Sequence, residues 1–154
     1  MDTPILSEAN FTLWLLLNKV SHSIVVVRER ELRKFHIPAR QLLVLHTIQA
    51  LGPNATLSEV SKKVDREIHV ISRQATKMAK DGLLKKIKDT PKSNLLRFEL
   101  TDKGSQMAKL SSHSESINVI FSTLSAEERQ NMESALKILL IKVKEYSPVL
   151  GIGR

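Results

Sequence analysis

The sequence predicts a mainly α-helical protein with one small β-hairpin. Apolar residues recur at helical spacing over most of the 154 residues. Two short stretches of strand type, 83–88 and 95–100, flank a polar turn, and residues typical of helix caps precede several helical segments. The length suits a single compact domain over 1–154, because it allows a sizeable core without disulfides or metals.

Composition limits the classes of function. Lys and Arg total 24 against 16 Asp and Glu, which gives a net charge of +8 and favours an anionic partner, either nucleic acid or an anionic membrane. The chain has no Cys, which excludes disulfides, zinc-thiolate sites and thiol chemistry and fits a reducing cytoplasm. No secretory signal is expected, because the N-terminus carries Asp2 and Glu8 and no leading basic cluster. No membrane span is expected either, since polar residues such as Lys19 and His22 interrupt the longest apolar run.

The first predicted helix runs from Ser7, as N-cap, to about Phe35. Residues 11–20 are apolar almost all round, so the helix needs cover on more than one side. It is either a central core helix or a subunit interface, and the interface is favoured because few other elements could cover it. The charged second half, 28–34, is expected to be solvated.

Three shorter helices are predicted in the middle of the chain. They run from about Pro38 to Leu51, from Thr56 to about Val64, and from about Ile68 to Lys80. Thr56 and Glu59 have capping-box spacing, and Asp81-Gly82 is a usual helix end. The fourth helix is predicted to bury four residues at 3,4,3 spacing, namely Ile68, Ile71, Ala75 and Met78.

After the hairpin, Thr101 is predicted to cap a helix that extends to about Phe121. Ser125 and Glu128 form a second capping-box spacing and open a final long helix with a wide apolar stripe. That helix is expected to end before Pro148.

The order of elements over 38–101 predicts a winged helix-turn-helix. A short helix, a turn, an amphipathic helix and a basic hairpin can place one helix in a DNA major groove while the strands touch the flanking backbone. Basic residues outnumber acidic ones from Thr56 to Gly104. A solvated surface is the alternative explanation of this charge, but the excess coincides with the helix-turn-helix pattern.

At this point the chain resembles the MarR-type transcriptional regulators. The resemblance is most specific in VISRQATKMAKDGLL, similar to the family's recognition helix and its exit, followed by LTDKG at family spacing. One long helix before this region and two after it also agree with the family. The resemblance implies a winged helix-turn-helix flanked by dimerisation helices at 7–37 and 102–147.

The resemblance also implies which residues face DNA. The residues expected to read bases are Arg73, Gln74, His69 and Val70. Arg suits guanine and Gln suits adenine, each pair giving roughly 1–3 kcal/mol of discrimination. The residues expected to contact phosphate are Ser72, Lys77, Lys62, Lys92 and Arg97.

Two features depart from the family pattern. Asp89 matches the acidic start of the wing, but Ser93 and Asn94 stand where arginines are common, which argues against minor-groove insertion by a wing arginine. Glu67 stands where a small capping residue is usual, and although it suits the helix dipole it would repel a nearby phosphate.

The resemblance further implies a homodimer that binds a palindromic double-stranded operator. It also implies a small phenolic or anionic effector bound between the dimerisation region and the winged helix, where Trp14, His22 and His46 are candidate lining residues. No cofactor is expected. Metal sensing is not expected either, because the five His residues are scattered singly.

The leading interpretation is therefore a dimeric, cytoplasmic, sequence-specific DNA-binding regulator that represses its own or neighbouring genes. The alternative is a winged-helix module that binds a protein partner and does not read DNA sequence. An enzyme is not expected, because no Gly-rich phosphate loop, nucleophile-base pair or useful carboxylate pair occurs.

Overall fold

The computed structural model describes residues 8–111 and 114–146 and is mainly α-helical, as predicted. The helices of these residues are α1 (Glu8–Leu32), a 3-10 turn (Arg33–Phe35), α2 (Ala39–Leu51), α3 (Leu57–Val64), α4 (Ile68–Lys80), α5 (Asp102–Lys109), α6 (Glu115–Ser122) and α7 (Ala126–Tyr146). The strands are β1 (Ala55–Thr56), β2 (Leu84–Lys88) and β3 (Leu96–Leu100). The chain divides into two compact units, Met1–Ser114 and Glu115–Arg154, which are described separately.

The core of the first unit lies among α2, α3, α4 and the sheet. Its largest fully buried side chains include Phe98 of β3, Leu45 and Ile48 of α2, and Ile71 and Met78 of α4. Each apolar side chain of this size contributes roughly 1.5–3 kcal/mol when it is removed from water. The recognition-helix candidate α4 is therefore fixed by its inner face.

The sheet has three antiparallel strands in the order β1-β3-β2. The hairpin pairs Leu84 with Leu100 and Lys88 with Leu96, close to the predicted bounds. The two-residue strand β1 was not predicted, because no alternation can be read from two residues. As the outer strand, β2 leaves one edge unpaired within the described residues, and its lysines are exposed.

The predicted capping box at the start of α3 is confirmed. The Glu59 backbone N–H donates to Thr56 Oγ1 at 3.2 Å, and the Thr56 backbone N–H donates to Glu59 Oε2 at 2.8 Å. These backbone and hydroxyl donors hold the pKa of the Glu59 carboxyl below its usual range. The helix ends at Asp65 with a left-handed φ of 53°, after which the chain turns into α4.

The exit from α4 depends on two glycines. Gly82 has a φ of 72°, and the next N–H, of Leu83, closes the helix on Met78 O at 2.9 Å. Thr101 then ties α5 to this turn, since its hydroxyl donates to Gly82 O at 2.7 Å and its backbone N–H donates to Leu83 O at 3.2 Å. Gly104 lies so close that a Cβ there would be 1.8 Å from Leu83 O.

The apolar half of α1 is exposed in the single chain. Residues 11–20 are all exposed, and Trp14 retains 54% of its accessible surface. The core-helix interpretation is therefore wrong for the isolated chain. By length and composition alone the helical segment Glu8–Phe35 could cross a membrane, since an 18-residue stretch within it has a mean hydropathy of 1.2. The predicted N-cap Ser7 lies outside the described residues.

The charged half of α1 is not fully solvated, contrary to the prediction. The side chains of Arg28 and Glu31 are only 11% and 17% exposed and form an ion pair of 2.8 Å. Arg28 also donates to Leu110 O at 3.1 Å, at the end of α5. Glu29 Oε1 accepts the Ala39 backbone N–H at 3.0 Å. These contacts join α1 to α2 and α5.

The predicted helix from Thr101 to Phe121 is wrong in its extent. Its Thr101 cap is confirmed, because the hydroxyl accepts the Gly104 N–H at 3.0 Å, but α5 ends at Lys109 and the separate helix α6 begins at Glu115.

In the second unit, the capping box of Ser125 and Glu128 is confirmed at the start of α7. The apolar stripe of α7 is exposed, with Leu139, Leu140 and Val143 among its members. Pro148 lies outside the described residues.

Candidate nucleic-acid interface

One face of α4 is exposed and basic. Ile71, Ala75 and Met78 are buried, which leaves His69, Arg73, Lys77 and Lys80 exposed on the other side of the helix. Arg73, Lys77 and Lys80 form no ion pair within the part of the chain that the structure describes. They are therefore available to an external anion.

The four predicted base-reading residues are not equally presented. His69 and Arg73 are exposed, whereas Val70 and Gln74 are half-buried on the flank of α4. The Gln74 carboxamide oxygen is enclosed by protein and accepts no hydrogen bond among residues 8–111 and 114–146. An unpaired buried acceptor costs roughly 1–3 kcal/mol. The structure thus presents Arg73 outward and leaves the Gln74 oxygen inside.

The first turn of α4 carries an apolar side chain that was predicted to be buried. Ile68 is 54% exposed, so that prediction is wrong. Ile68 is the first residue of α4, at the end where the helix extends beyond the core. Exposed apolar groups on a recognition helix can contact the methyl group of thymine. The helical periodicity assigns Ile68 to the buried face of α4. It does not show how far along the helix the core extends.

Glu67 and His69 are paired at the N-terminal end of α4. Glu67 Oε2 lies 3.0 Å from His69 Nδ1, and both side chains are mostly exposed. Glu67 is the N-cap residue but makes no side-chain cap hydrogen bond. Its carboxylate is therefore directed to His69. Both residues lie at the N-terminal end of α4, where the free backbone N–H groups attract anions.

The predicted phosphate-binding residues on the helices differ in exposure. Lys62 and Lys77 are exposed and Ser72 is half-buried. Ser72 O accepts the Thr76 hydroxyl at 3.0 Å, and Thr76 Oγ1 accepts Lys86 Nζ at 3.0 Å. No pattern in the sequence distinguishes Lys86 or Thr76, which join the hairpin to α4.

In the hairpin, Lys92 is exposed in the tip turn, where the Ser93 N–H donates to Thr90 O at 2.9 Å. Arg97 is held differently. Its Nε donates to Asp89 Oδ1 at 3.2 Å and its Nη1 donates to Asn54 O at 3.1 Å. Arg97 therefore braces the hairpin close to its turn, and Asp89 offsets part of its charge.

The predicted effector residues lie apart from the cavity found in the first unit. Trp14 is exposed and packs against Phe11 with ring centroids 5.5 Å apart. His22 is exposed, and His46 Nδ1 lies 2.7 Å from Ser111 Oγ. None of Trp14, His22 and His46 lines the cavity of about 380 Å³ that opens beside the C-terminal end of α4.

Among residues 8–111 and 114–146, no group of three or more His, Cys, Asp or Glu could hold a metal ion.

A helix with an exposed cationic face, preceded by a tight turn and followed by a basic hairpin, defines a winged-helix nucleic-acid-binding domain. Residues 38–104 match the family model described as a winged helix DNA-binding domain. These bounds nearly coincide with the predicted region 38–101.

The chain as a whole has the fold of the MarR-type regulators. It superposes on the organohalide-sensing transcriptional regulator RdhR in its 2,4-dichlorophenol-bound form with a TM-score of 0.80 and 24% identity, covering 97% of this chain and 88% of that one. For MepR of S. aureus in complex with DNA, the TM-score is 0.74, the identity 22% and the coverage 84% and 96%.

A mutant of MarR from E. coli in complex with operator DNA gives a TM-score of 0.77 at 18% identity, with 90% of this chain and 99% of that one covered. Comparison with curated protein sequences gave no match. The predicted resemblance is therefore confirmed at the level of the fold, and these three structural neighbours are regulators rather than enzymes.

Proposed function

We propose that this protein is a MarR-type, sequence-specific DNA-binding regulator that acts in the cytoplasm as a dimeric repressor of its own or neighbouring genes. The observation that carries the proposal is the exposed cationic face of α4, which includes Arg73, on a helix joined to the basic hairpin by the hydrogen bond from Lys86 to Thr76. The DNA complexes of MepR and MarR, which share this fold, support it.

Binding to DNA is tested with fluorescently labelled duplexes from the region upstream of the protein's own gene. A palindromic duplex is expected to bind more tightly than a scrambled duplex of equal length, with an affinity that falls steeply as salt rises. Affinity for a protein that does not change with salt, without any binding to DNA, would instead establish the protein-interaction alternative.

Dimerisation is proposed through the predicted helices at 7–37 and 102–147. In α1 and, separately, in α7, the structure exposes apolar side chains that a soluble monomer would not leave in water. Two copies would bury both sets. A dimer would also place two α4 helices on the half-sites of a palindrome, about one DNA turn apart.

Sedimentation measurements on the full chain test the dimer. Leu139→Glu puts a charge on the exposed apolar stripe of α7 and is expected to shift the protein toward monomer. Gln130→Glu introduces the same charge on another exposed position of α7 and serves as the control. Equal dimer fractions in the two variants would exclude this surface from the interface.

Release by a small phenolic or anionic effector is the remaining part of the proposal. It is supported by the 2,4-dichlorophenol-bound structure of RdhR. Titration of the protein-operator complex with 2,4-dichlorophenol is expected to weaken DNA binding. The variant Trp14→Ala tests the predicted lining residue, and an unchanged response would remove Trp14 from the effector site.

A further inference from the structure

Glu67 and His69 contact each other at the start of α4, where both side chains are exposed. Glu67 Oε2 lies 3.0 Å from His69 Nδ1, and the two side chains are 67% and 66% exposed. A side-chain oxygen at the N-cap position usually accepts a backbone N–H of the first turn, but the Glu67 side chain makes no such bond. Its carboxylate therefore contacts the imidazole ring instead of the helix backbone.

Backbone hydrogen bonds hold the two residues in place. The Glu67 carbonyl oxygen accepts the N–H of Val70 at 3.0 Å and the N–H of Ile71 at 3.2 Å. Ile71 is only 1% exposed and anchors this turn in the core. His69 belongs to the same turn of α4. The distance between the carboxylate and the ring therefore depends only on side-chain torsions, so the contact is a feature of the helix itself.

The contact determines which nitrogen of a neutral His69 ring carries the proton. A neutral imidazole has one N–H donor and one nitrogen with a free lone pair. If Nδ1 were the unprotonated nitrogen, it and the carboxylate oxygen would be two electron-rich atoms 3.0 Å apart, and they would repel each other. The proton is therefore placed on Nδ1, in the way that a neighbouring carboxylate sets the tautomer of many functional histidines. Nε2, on the other side of the ring, is then an acceptor.

We infer that Glu67 is a positioning residue for base reading, because it makes neutral His69 a hydrogen-bond acceptor that selects an amino group in the major groove. Adenine N6 and cytosine N4 carry such groups, whereas guanine and thymine offer acceptor oxygens instead. Arg73 lies four positions further on the same exposed face and is a donor. His69 therefore favours adenine or cytosine, and Arg73 favours guanine. This base selection rests on the proposed function, whereas the tautomer of His69 does not.

The tautomer is tested in the free full-length chain by a ¹H–¹⁵N correlation spectrum of the imidazole rings at about pH 8, where histidine is generally neutral. The proton of His69 is expected on Nδ1 in the wild type and in Glu67→Gln, whose amide oxygen still accepts. In Glu67→Ala the spectrum is expected to move toward a mixture of both tautomers. His22, exposed on α1, is the internal reference and should not change. A proton on Nε2 in the wild type would overturn the inference.

Base selection is tested by substituting each base pair of the operator and measuring binding by the wild type and by His69→Ala. The pair whose preference depends on His69 is expected to present adenine or cytosine to α4. Removing only its amino group, with a purine or 2-pyrimidinone nucleoside, should weaken wild-type binding about fivefold, the contribution of one hydrogen bond. His69→Ala should show no such loss, which also controls for the weaker base pairing of the analogue. A preference for guanine, or no loss in the wild type, would overturn the reading role of His69.

Three variants separate positioning by Glu67 from its charge. Glu67→Gln keeps an acceptor oxygen and should retain the loss of about fivefold on removal of the amino group. Glu67→Ala should reduce that loss to about twofold, because the ring then populates both tautomers. Asp81→Ala removes a carboxylate from the other end of α4 and should leave the loss unchanged. Equal losses for Glu67→Ala and Glu67→Gln would show that Glu67 acts only through its charge.

Failure of the protein to bind any DNA would refute the proposed function instead. The spectrum of the free protein would still decide whether Glu67 sets the tautomer of His69, because that measurement needs no DNA.

Discussion

Gly104 is the position where this fold leaves no room for a side chain, and Gly104→Ala tests that statement directly. The added Cβ would lie 1.8 Å from Leu83 O, whereas real Cβ contacts essentially never fall below 3.0 Å. The backbones of α5 and of Leu83 would have to separate by about 1.2 Å, the difference between these two distances.

The expected energy follows from what that separation disrupts. It would strain the hydrogen bond from the Thr101 N–H to Leu83 O, now 3.2 Å long, which contributes roughly 1 kcal/mol. Overpacking a closed contact costs about 1–3 kcal/mol more. Alanine returns roughly 1 kcal/mol through its better helix propensity. A net loss of about 2 kcal/mol in the free energy of unfolding is therefore expected.

Urea unfolding followed by far-UV circular dichroism at fixed protein concentration measures the loss. Gln106→Ala, at an exposed position in the same helix, is the control and should stay within about 0.5 kcal/mol of the wild type. If Gly104→Ala were as stable as the wild type, the close approach of α5 to Leu83 would be refuted.

Three further predictions concern the interface and the caps. Arg73→Ala is expected to lower discrimination between operator and scrambled DNA by about 1–3 kcal/mol without dissociating the dimer; unchanged discrimination in competition binding would contradict its role. Asp89→Ala removes the ion-pair partner of Arg97 and is expected to steepen the dependence of log Kd on log salt by about one counterion, so an unchanged slope would show that Arg97 does not reach DNA. The pKa of Glu59 is lowered in the folded state, so its contribution to stability is present above 4.5 and is lost as the pH falls through the folded value. Glu59→Gln should therefore reduce the acid-induced loss of thermal stability, and identical acid profiles for variant and wild type would refute this.

Features set by neighbouring residues could be predicted from the sequence. The capping residues Thr56 and Glu59 lie three positions apart, and Gly82 closes the helix that it follows. Because each of these residues contacts a partner only a few positions away, the spacing in the sequence is enough to predict the contact. The same holds for Arg73, whose exposure follows from its position opposite the buried residues of α4.

Features set by distant partners could not be predicted. Arg28 is tied to Leu110, which is 82 positions away, and Arg97 is tied to Asn54, which is 43 positions away. No local pattern distinguishes such residues from solvated charges. The end of α5 at Lys109 also lacks a Gly or Pro signal. The burial of the Gln74 oxygen depends on side-chain packing around it, which periodicity does not describe.

The outer edge of the sheet has a consequence for how copies of this chain meet. An unpaired strand invites a strand of another molecule, and lysines along such an edge oppose that pairing by mutual repulsion and by the cost of desolvating them. Lys85, Lys86 and Lys88 are exposed on β2. The charge that would attract nucleic acid thus also opposes aggregation through the sheet, and the proposed dimer instead uses the exposed apolar side chains of α1 and α7.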